Sequence, residues 1–307
     1  MTTGLWLLLY GAALAWLSPS LLRRLTKPGV SPQMGVAVWL TAISTTLITW
    51  VIAIVLIGLA AIDGLIGTSA ATVCLELFGL SEHGGLAGLS GSIALASGGI
   101  AMVVIFSART CRWSSRLRSR SREHADAVLM VGRPTTRPGV VVVEAQRSAA
   151  YCVSGHRPAI VVTSAAWSSL ARSELAAVLT HEQAHIAGRH HQILTMLRAM
   201  AGALPRLPLM QQSSEAVAEL LEMCADDAAA RRHGVEPILG GLLAMAEPPN
   251  PVPAEGLAAA GTAVAVRAMR LAHPVRRTAG WCQRMLLALS MTMMLGTPAF
   301  ISFLCHH

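Results

Sequence analysis

His181, Glu182 and His185 stand in the run His-Glu-Gln-Ala-His. On an α-helix, residues four apart share one face, about 40° apart around the axis, so both imidazoles can reach one metal ion. Zinc suits such a pair. It binds imidazole nitrogen at about 2.0–2.1 Å, and a catalytic site takes three protein ligands with one position left for water. Glu182 is turned about 100° from His181, so it need not be a ligand. It is placed to take a proton from a water that the metal activates, the general-base role in peptide hydrolysis. The spacing also arises by chance on solvated helices, so the rest of the chain must support it.

Three residues compete to complete the metal shell. Glu222 lies in Glu222-Met223-Cys224-Ala225-Asp226, with Asp226 one turn later on the same face. Glu222 can be the third ligand, and Asp226 can accept the free N–H of a ligand histidine and fix its tautomer. Glu219 shares that face and is the fallback. The third candidate is His191, because His181-x-x-x-His185-x-x-Gly188-x-x-His191 also has metzincin spacing. That choice needs a sharp turn at Gly188, whereas the residues from Arg189 onward read equally well as continued helix. His190 and His191 then form a polar helix face near a membrane surface.

The elements that position these residues follow from local pattern. Val140 to Glu144, Ala149 to Val153 and Ala159 to Thr163 read as strands of a small antiparallel sheet. Ser173 is a plausible N-cap for the helix carrying the histidines. A second amphipathic helix runs from about Ser213 to His233, closed by Gly234. Ala246 to Gly256 holds four prolines and reads as an exposed loop, and a last helix spans about Leu257 to Ala272.

Composition places this unit in a membrane. Hydrophobic residues make up 53% of 307, only 13% are charged, and mean hydropathy is +0.55. The charged share is about half that of a soluble domain. Four stretches approach the roughly 20 apolar residues that cross a bilayer: about residues 4–22, 35–62, 86–106 and 285–304. Arg23, Arg24 and Lys27 lie between the first and second, and every other basic residue lies between Arg109 and Arg284. The bias of basic residues to the inner side therefore puts both termini outside and the histidine motif in the cytoplasm. It also explains the net charge of +8 without nucleic acid, for which there is no motif. The arginine-rich stretch 109–122 should lie on anionic headgroups as a juxtamembrane helix. Cys111, Cys152, Cys224 and Cys282 read as free thiols on or near the reducing side. Cys74 and Cys305 both map outside, so a disulfide between them is open.

The runs Ala150-Tyr151-Cys152-Val153-Ser154-Gly155, Ala159-Ile160-Val161-Val162-Thr163-Ser164 and Glu174 to His185 resemble the core of the gluzincin membrane peptidases. These include the HtpX heat-shock and CAAX-prenyl endopeptidases and, with a more similar layout of spans, the BlaR/MecR-type antirepressor metallopeptidases. The resemblance covers about residues 140–280 in motifs. It implies a Zn²⁺ cofactor, Glu222 as third ligand, and a strand at Ala150, Tyr151 and Cys152 that pairs with extended substrate. It also implies that His273, in His273-Pro274 followed by Arg276 and Arg277, supports the developing oxyanion. BlaR/MecR receptors carry an external penicillin-binding sensor. This chain ends at His307 with no Ser-x-x-Lys element fitting an external domain, so direct β-lactam sensing is not expected.

The expected architecture is an α-helical polytopic membrane protein of four spans with an inserted cytoplasmic α+β zincin-like domain. Residues 1–108 form the membrane domain, 109–280 the metallopeptidase domain, and 281–307 the fourth span and tail. The expected function is a zinc endopeptidase cutting cytoplasmic proteins, as an antirepressor on a BlaI-type repressor with possible self-cleavage at the Pro-rich loop. A quality-control peptidase of the HtpX kind and a non-catalytic signalling receptor are the alternatives. A transporter fits poorly, because no charge sits mid-span.

Overall fold

The computed structural model describes residues 3–27, 29–66, 86–155, 158–246, 254–273 and 277–304. Two apolar helices open the chain, α1 (Thr3–Thr26) and α2 (Pro32–Ile66). They form a hairpin because α1 ends in arginines and Gly29 takes a left-handed φ of 61°. Met223 packs against Gly29, where a β-carbon would not fit. Next comes α3 (Leu86–Val131), then four strands: β1 (Arg133–Pro134), β2 (Val140–Val143), β3 (Ala150–Val153) and β4 (Ala159–Thr163). The helices α4 (Ser164–Ser169), α5 (Arg172–Ala187), α6 (His190–Ala203), α7 (Pro208–His233), α8 (Val235–Ala246), α9 (Ala254–Ala272) and α10 (Arg277–Leu304) complete the described chain.

Among the described residues, three helices are long and apolar enough to cross a membrane: Thr3–Thr26, Pro32–Leu59 and Thr278–Leu304. Their outward faces carry exposed Leu17, Val55, Leu59, Met293 and Phe300, side chains that suit hydrocarbon better than water. The stretch expected to span at 86–106 is the first part of α3. The arginine-rich stretch is not a separate helix but its unbroken continuation. At 1.5 Å per residue, the 46 residues of α3 run about 69 Å. The boundary expected at 108/109 thus falls inside α3, and that at 280/281 falls inside α10.

The sheet order is β1-β2-β4-β3. It is mixed, not antiparallel throughout: β3 and β4 form an antiparallel pair, but β2 runs parallel to β4, with Val140 beside Ile160. The chain leaves β2, crosses to the far edge as β3, and returns through the centre as β4. Central β4 is buried at all five positions because both faces are covered. Ile160 and Val162 pack with Leu175, Val178 and Leu179 of α5, while Val161 and Val153 pack with Ala125 and Val128 of α3. β3 is left as an edge strand.

The helix termini depart slightly from expectation. The N-cap of α5 is Ala171, not Ser173, and the Glu174 carboxylate accepts the Ala171 N–H at 2.9 Å. Pro208 starts α7, since a first-turn position needs no N–H partner. The Pro-rich segment expected at Ala246–Gly256 lies outside the described residues apart from its ends, which are helical. Cys74 and Cys305 are outside them too, so their pairing stays an expectation. Cys111, Cys152, Cys224 and Cys282 are free.

The core that joins the two halves runs through α7. Val217, Leu220 and Leu221 pack with Trp39, Val36 and Leu22 of the α1–α2 hairpin. The helix that carries Glu222 and Asp226 is therefore bolted to the membrane helices, while its other face meets α5.

Candidate metal centre

α5 and α7 lie side by side, and their contact brings His181, His185 and Glu222 together, with one ligand atom from each within 4.8 Å of the others. The Nε2 atoms of His181 and His185 are 3.2 Å apart. Glu222 Oε2 is 3.5 Å from the first, and Oε1 is 3.4 Å from the second. Donors at about 2.0–2.1 Å around a tetrahedral ion are about 3.4 Å apart. The donor set thus fits zinc in both chemistry and spacing.

Both imidazoles are held from behind. His181 Nδ1 lies 3.0 Å from Asp226 Oδ1, and Asp226 is fully buried. A proton on Nδ1 leaves the Nε2 lone pair free for a metal. His185 Nδ1 lies 2.8 Å from Nδ1 of His190, so a second imidazole takes the place that a carboxylate often fills. Arg267, from α9, ties the acidic residues together. Its Nε donates to Asp226 Oδ2 at 2.8 Å, its Nη2 to Oδ1 at 2.6 Å, and its Nη1 is 3.0 Å from Glu222 Oε2. One helical turn on, Arg270 pairs with Asp227 at 2.7 Å.

The electrostatics follow from burial and these partners. Burial opposes charge on His181, but Asp226 and Glu222 outweigh it and raise its pKa to about 9. Carboxylates that hold a proton there favour a divalent cation in its place. Burial lowers His185 to about 4, so it is a neutral donor near pH 7. Burial lifts Asp226, but hydrogen bonds from Arg267, and then the His181 ring 3.0 Å away, hold it at about 2. Glu182 is almost fully buried, and that desolvation raises its carboxyl to about 7, a value matched to proton transfer near neutrality. The Cys152 backbone partly offsets that rise.

A cleft of about 390 Å³ opens beside Glu182 and Glu222. Ala149 and Ala150 form one wall, Val178, Ile238, Leu242 and Met245 the apolar floor, and Arg147 the rim. Thr163 N donates to Ala149 O at 3.0 Å, so the inward-bonded positions of β3 are 149, 151 and 153. The N–H and C=O groups of Ala150 and Cys152 therefore point to the free edge. Tyr151 faces the opposite layer and stacks on His124 of α3, with centroids 5.9 Å apart.

Other sequence candidates fall elsewhere. The chain does turn after α5, but the turn is made by Arg189 at φ 51° while Gly188 stays right-handed. It sends His191 away, where its Nε2 meets Ser121 of α3 at 3.2 Å. His190, expected on a polar surface, is instead buried against His185. Glu219 is exposed on the membrane-helix side of α7. His273 is exposed, with Nδ1 3.3 Å from its own helix carbonyl at Met269. It is six residues past Arg267, about 240° around α9, so the face that carries Arg267 inward carries His273 outward. Pro274 and Arg276 lie outside the described residues. Arg267 and His190 were missed by sequence reasoning. The usable signal was Arg267 and Arg270 one turn apart on an apolar helix, matching the adjacent Asp226 and Asp227.

A buried carboxyl beside a His-His-Glu donor set has the parts of a metallohydrolase centre. The model of Peptidase family M48 matches residues 114–238, from the second half of α3 through the sheet and α7 into α8. The match indicates a metallopeptidase domain and supports the gluzincin-type membrane group. Peptidases of this family are typically zinc-dependent. Arg267 lies beyond the matched residues. No curated protein and no solved structure matches the chain.

Proposed function

We propose that the chain is a membrane-anchored zinc endopeptidase in which His181, His185 and Glu222 hold the metal and Glu182 is the general base. The observation that carries this reading is the convergence of three donor atoms at tetrahedral spacing beside a buried carboxyl raised to about 7. Zinc bound there lowers the pKa of water and polarises a carbonyl. The chain's own residues do the rest. An extended substrate pairs with the free edge of β3 through the backbone of Ala150 and Cys152, which sets its scissile carbonyl beside Glu182. Glu182 takes the proton as water adds to the carbonyl carbon, then delivers it to the amide nitrogen as the C–N bond breaks. Asp226 and His190 keep the two ligand rings in place.

The proposed setting is the plasma membrane, with four spans, the first part of α3 being the third, and the catalytic domain in the cytoplasm. The first arginines of the 109–122 stretch meet anionic headgroups there. The substrate by resemblance is a regulatory protein such as a BlaI-type repressor; clearance of damaged membrane proteins is the rival role. A repressor gene beside its own favours regulation, and broad cleavage under stress favours clearance.

The test is metal content and cleavage of an unfolded protein by wild type, His185→Ala, Glu222→Ala and Glu182→Gln. Zinc at one per chain should vanish in the first two variants. Glu182→Gln should keep zinc and lose about 10²–10⁴ in rate. Wild-type cleavage by Glu182→Gln would refute the assignment.

A further inference from the structure

A second cleft, of about 350 Å³, lies where α1 ends against α7. Arg23, Arg24 and Lys27 line one side, Glu219, Leu220 and Met223 the other. Arg23 is neutralised by Glu215 at 2.6 Å. Among the described residues, no carboxylate pairs with Arg24 or Lys27. Their charges remain open beside a partly apolar wall, and they exceed the single negative charge of Glu219.

The face of α1 below them is equally unpartnered. Leu17 and Leu21 are 70% and 54% exposed, and they precede Arg24 at the four- and three-residue spacing that makes one helical stripe. The opposite face, through Ala15, Ser18 and Leu22, is the buried one. Apolar rungs thus lead up to two free cations at the end of a helix long enough to cross a bilayer. Acyl chains fit the rungs, and a phosphodiester fits the cations.

We propose that this cleft is a binding site for one anionic glycerophospholipid, with its phosphate on Arg24 and Lys27 and its acyl chains along Leu17 and Leu21. The site rests on α1 crossing the bilayer and not on the peptidase reading. Leu220 and Met223 border the cleft from the core, 3% and 5% exposed, while Glu222, on the same turn of α7, faces the metal position. The headgroup therefore seats against the helix that supplies the third ligand.

The phosphate could equally come from a soluble anion, so the test separates the two sources. Full-length protein is delipidated in detergent and titrated, by native mass spectrometry, with a short-chain phosphatidylglycerol, with glycerol 3-phosphate and with inorganic phosphate. One lipid should bind saturably and the soluble anions should not compete at equal concentration. Arg24→Gln/Lys27→Gln should weaken the lipid about thirtyfold, at roughly a factor of five per cation near a membrane surface. Arg231→Gln/Arg232→Gln, exposed at the other end of α7, should leave it unchanged. If the double variant does not fold, the singles, at about fivefold each, take its place. Three results would overturn the site: unchanged binding by the Arg24 and Lys27 variants, equal binding of inorganic phosphate, or equal loss in the Arg231 and Arg232 variant.

Discussion

Replacing Arg267 with Met separates stability from metal binding at this site. The guanidinium makes two hydrogen bonds to Asp226, which is fully buried, and one contact to Glu222, whose side chain is 40% exposed. The Glu222 contact is screened and contributes little. Asp226 decides the outcome. Removing one partner of a buried ion pair costs about 3–5 kcal/mol, because the remaining charge is stranded. Metal affinity should fall by about 10–100-fold as well, since Asp226 then takes up a proton and orients His181 less firmly. The sign with pH can be worked out. In the wild type Asp226 sits at about 2, below its ordinary 3.9. Its contribution is complete above about pH 4 and is lost as pH falls toward 2. In Arg267→Met, burial no longer meets that opposition, so the carboxyl rises and protonation relieves the stranded charge as pH falls. The stability gap should therefore be widest near pH 7 and shrink toward pH 4. Thermal or denaturant unfolding of metal-stripped protein measures the gap, and chelator competition measures zinc affinity. Adding Asp226→Asn to Arg267→Met should restore much of the stability but none of the affinity. A gap below about 1 kcal/mol at pH 7, or one that widens in acid, would refute the reasoning.

Three further outcomes follow from the same geometry. The base must be ionised, and a divalent ion nearby favours that form. The acidic limb of kcat/KM should therefore have its midpoint at or below about 7, and a midpoint above about 8 would assign it to another group. His190→Ala should weaken zinc about 10–100-fold while His191→Ala should not, since only His190 supports a ligand ring; equal losses would show that the αL turn at Arg189 matters more than the imidazole. Burial, and then the charge of Glu182, raise Cys152 to about 11, so iodoacetamide near pH 8 should modify it about a hundredfold more slowly than exposed Cys111. Equal labelling rates would mean that β3 opens away from α5.

The grouping of the candidate residues was legible where it is written in local spacing. His181, Glu182 and His185 sit on one short helix, and Glu222 and Asp226 on another, so the 3.6-residue period was enough to put each set on a face. It also fixed the strands, whose β-branched runs at 140–143 and 159–163 appear where expected. It could not give their direction, because the parallel pairing of β2 with β4 depends on β3 crossing to the far edge. It also could not give what holds Asp226. Arg267 acts on Asp226 from 41 residues away, and only the return of α9 makes them neighbours. α8 shows the same limit from the other side. Gly240 and Gly241 argue against a helix by propensity, yet a β-carbon on Gly241 would fall 2.7 Å from Val178 Cγ2. The glycines permit close approach of α8 to α5, and that approach places Ile238 and Leu242 on the floor of the cleft beside Glu182. The same contact runs through Val178, three residues before His181. A larger residue at Gly241 would therefore push on the metal helix itself, so the weakest helix in the sequence helps set the position of the strongest motif.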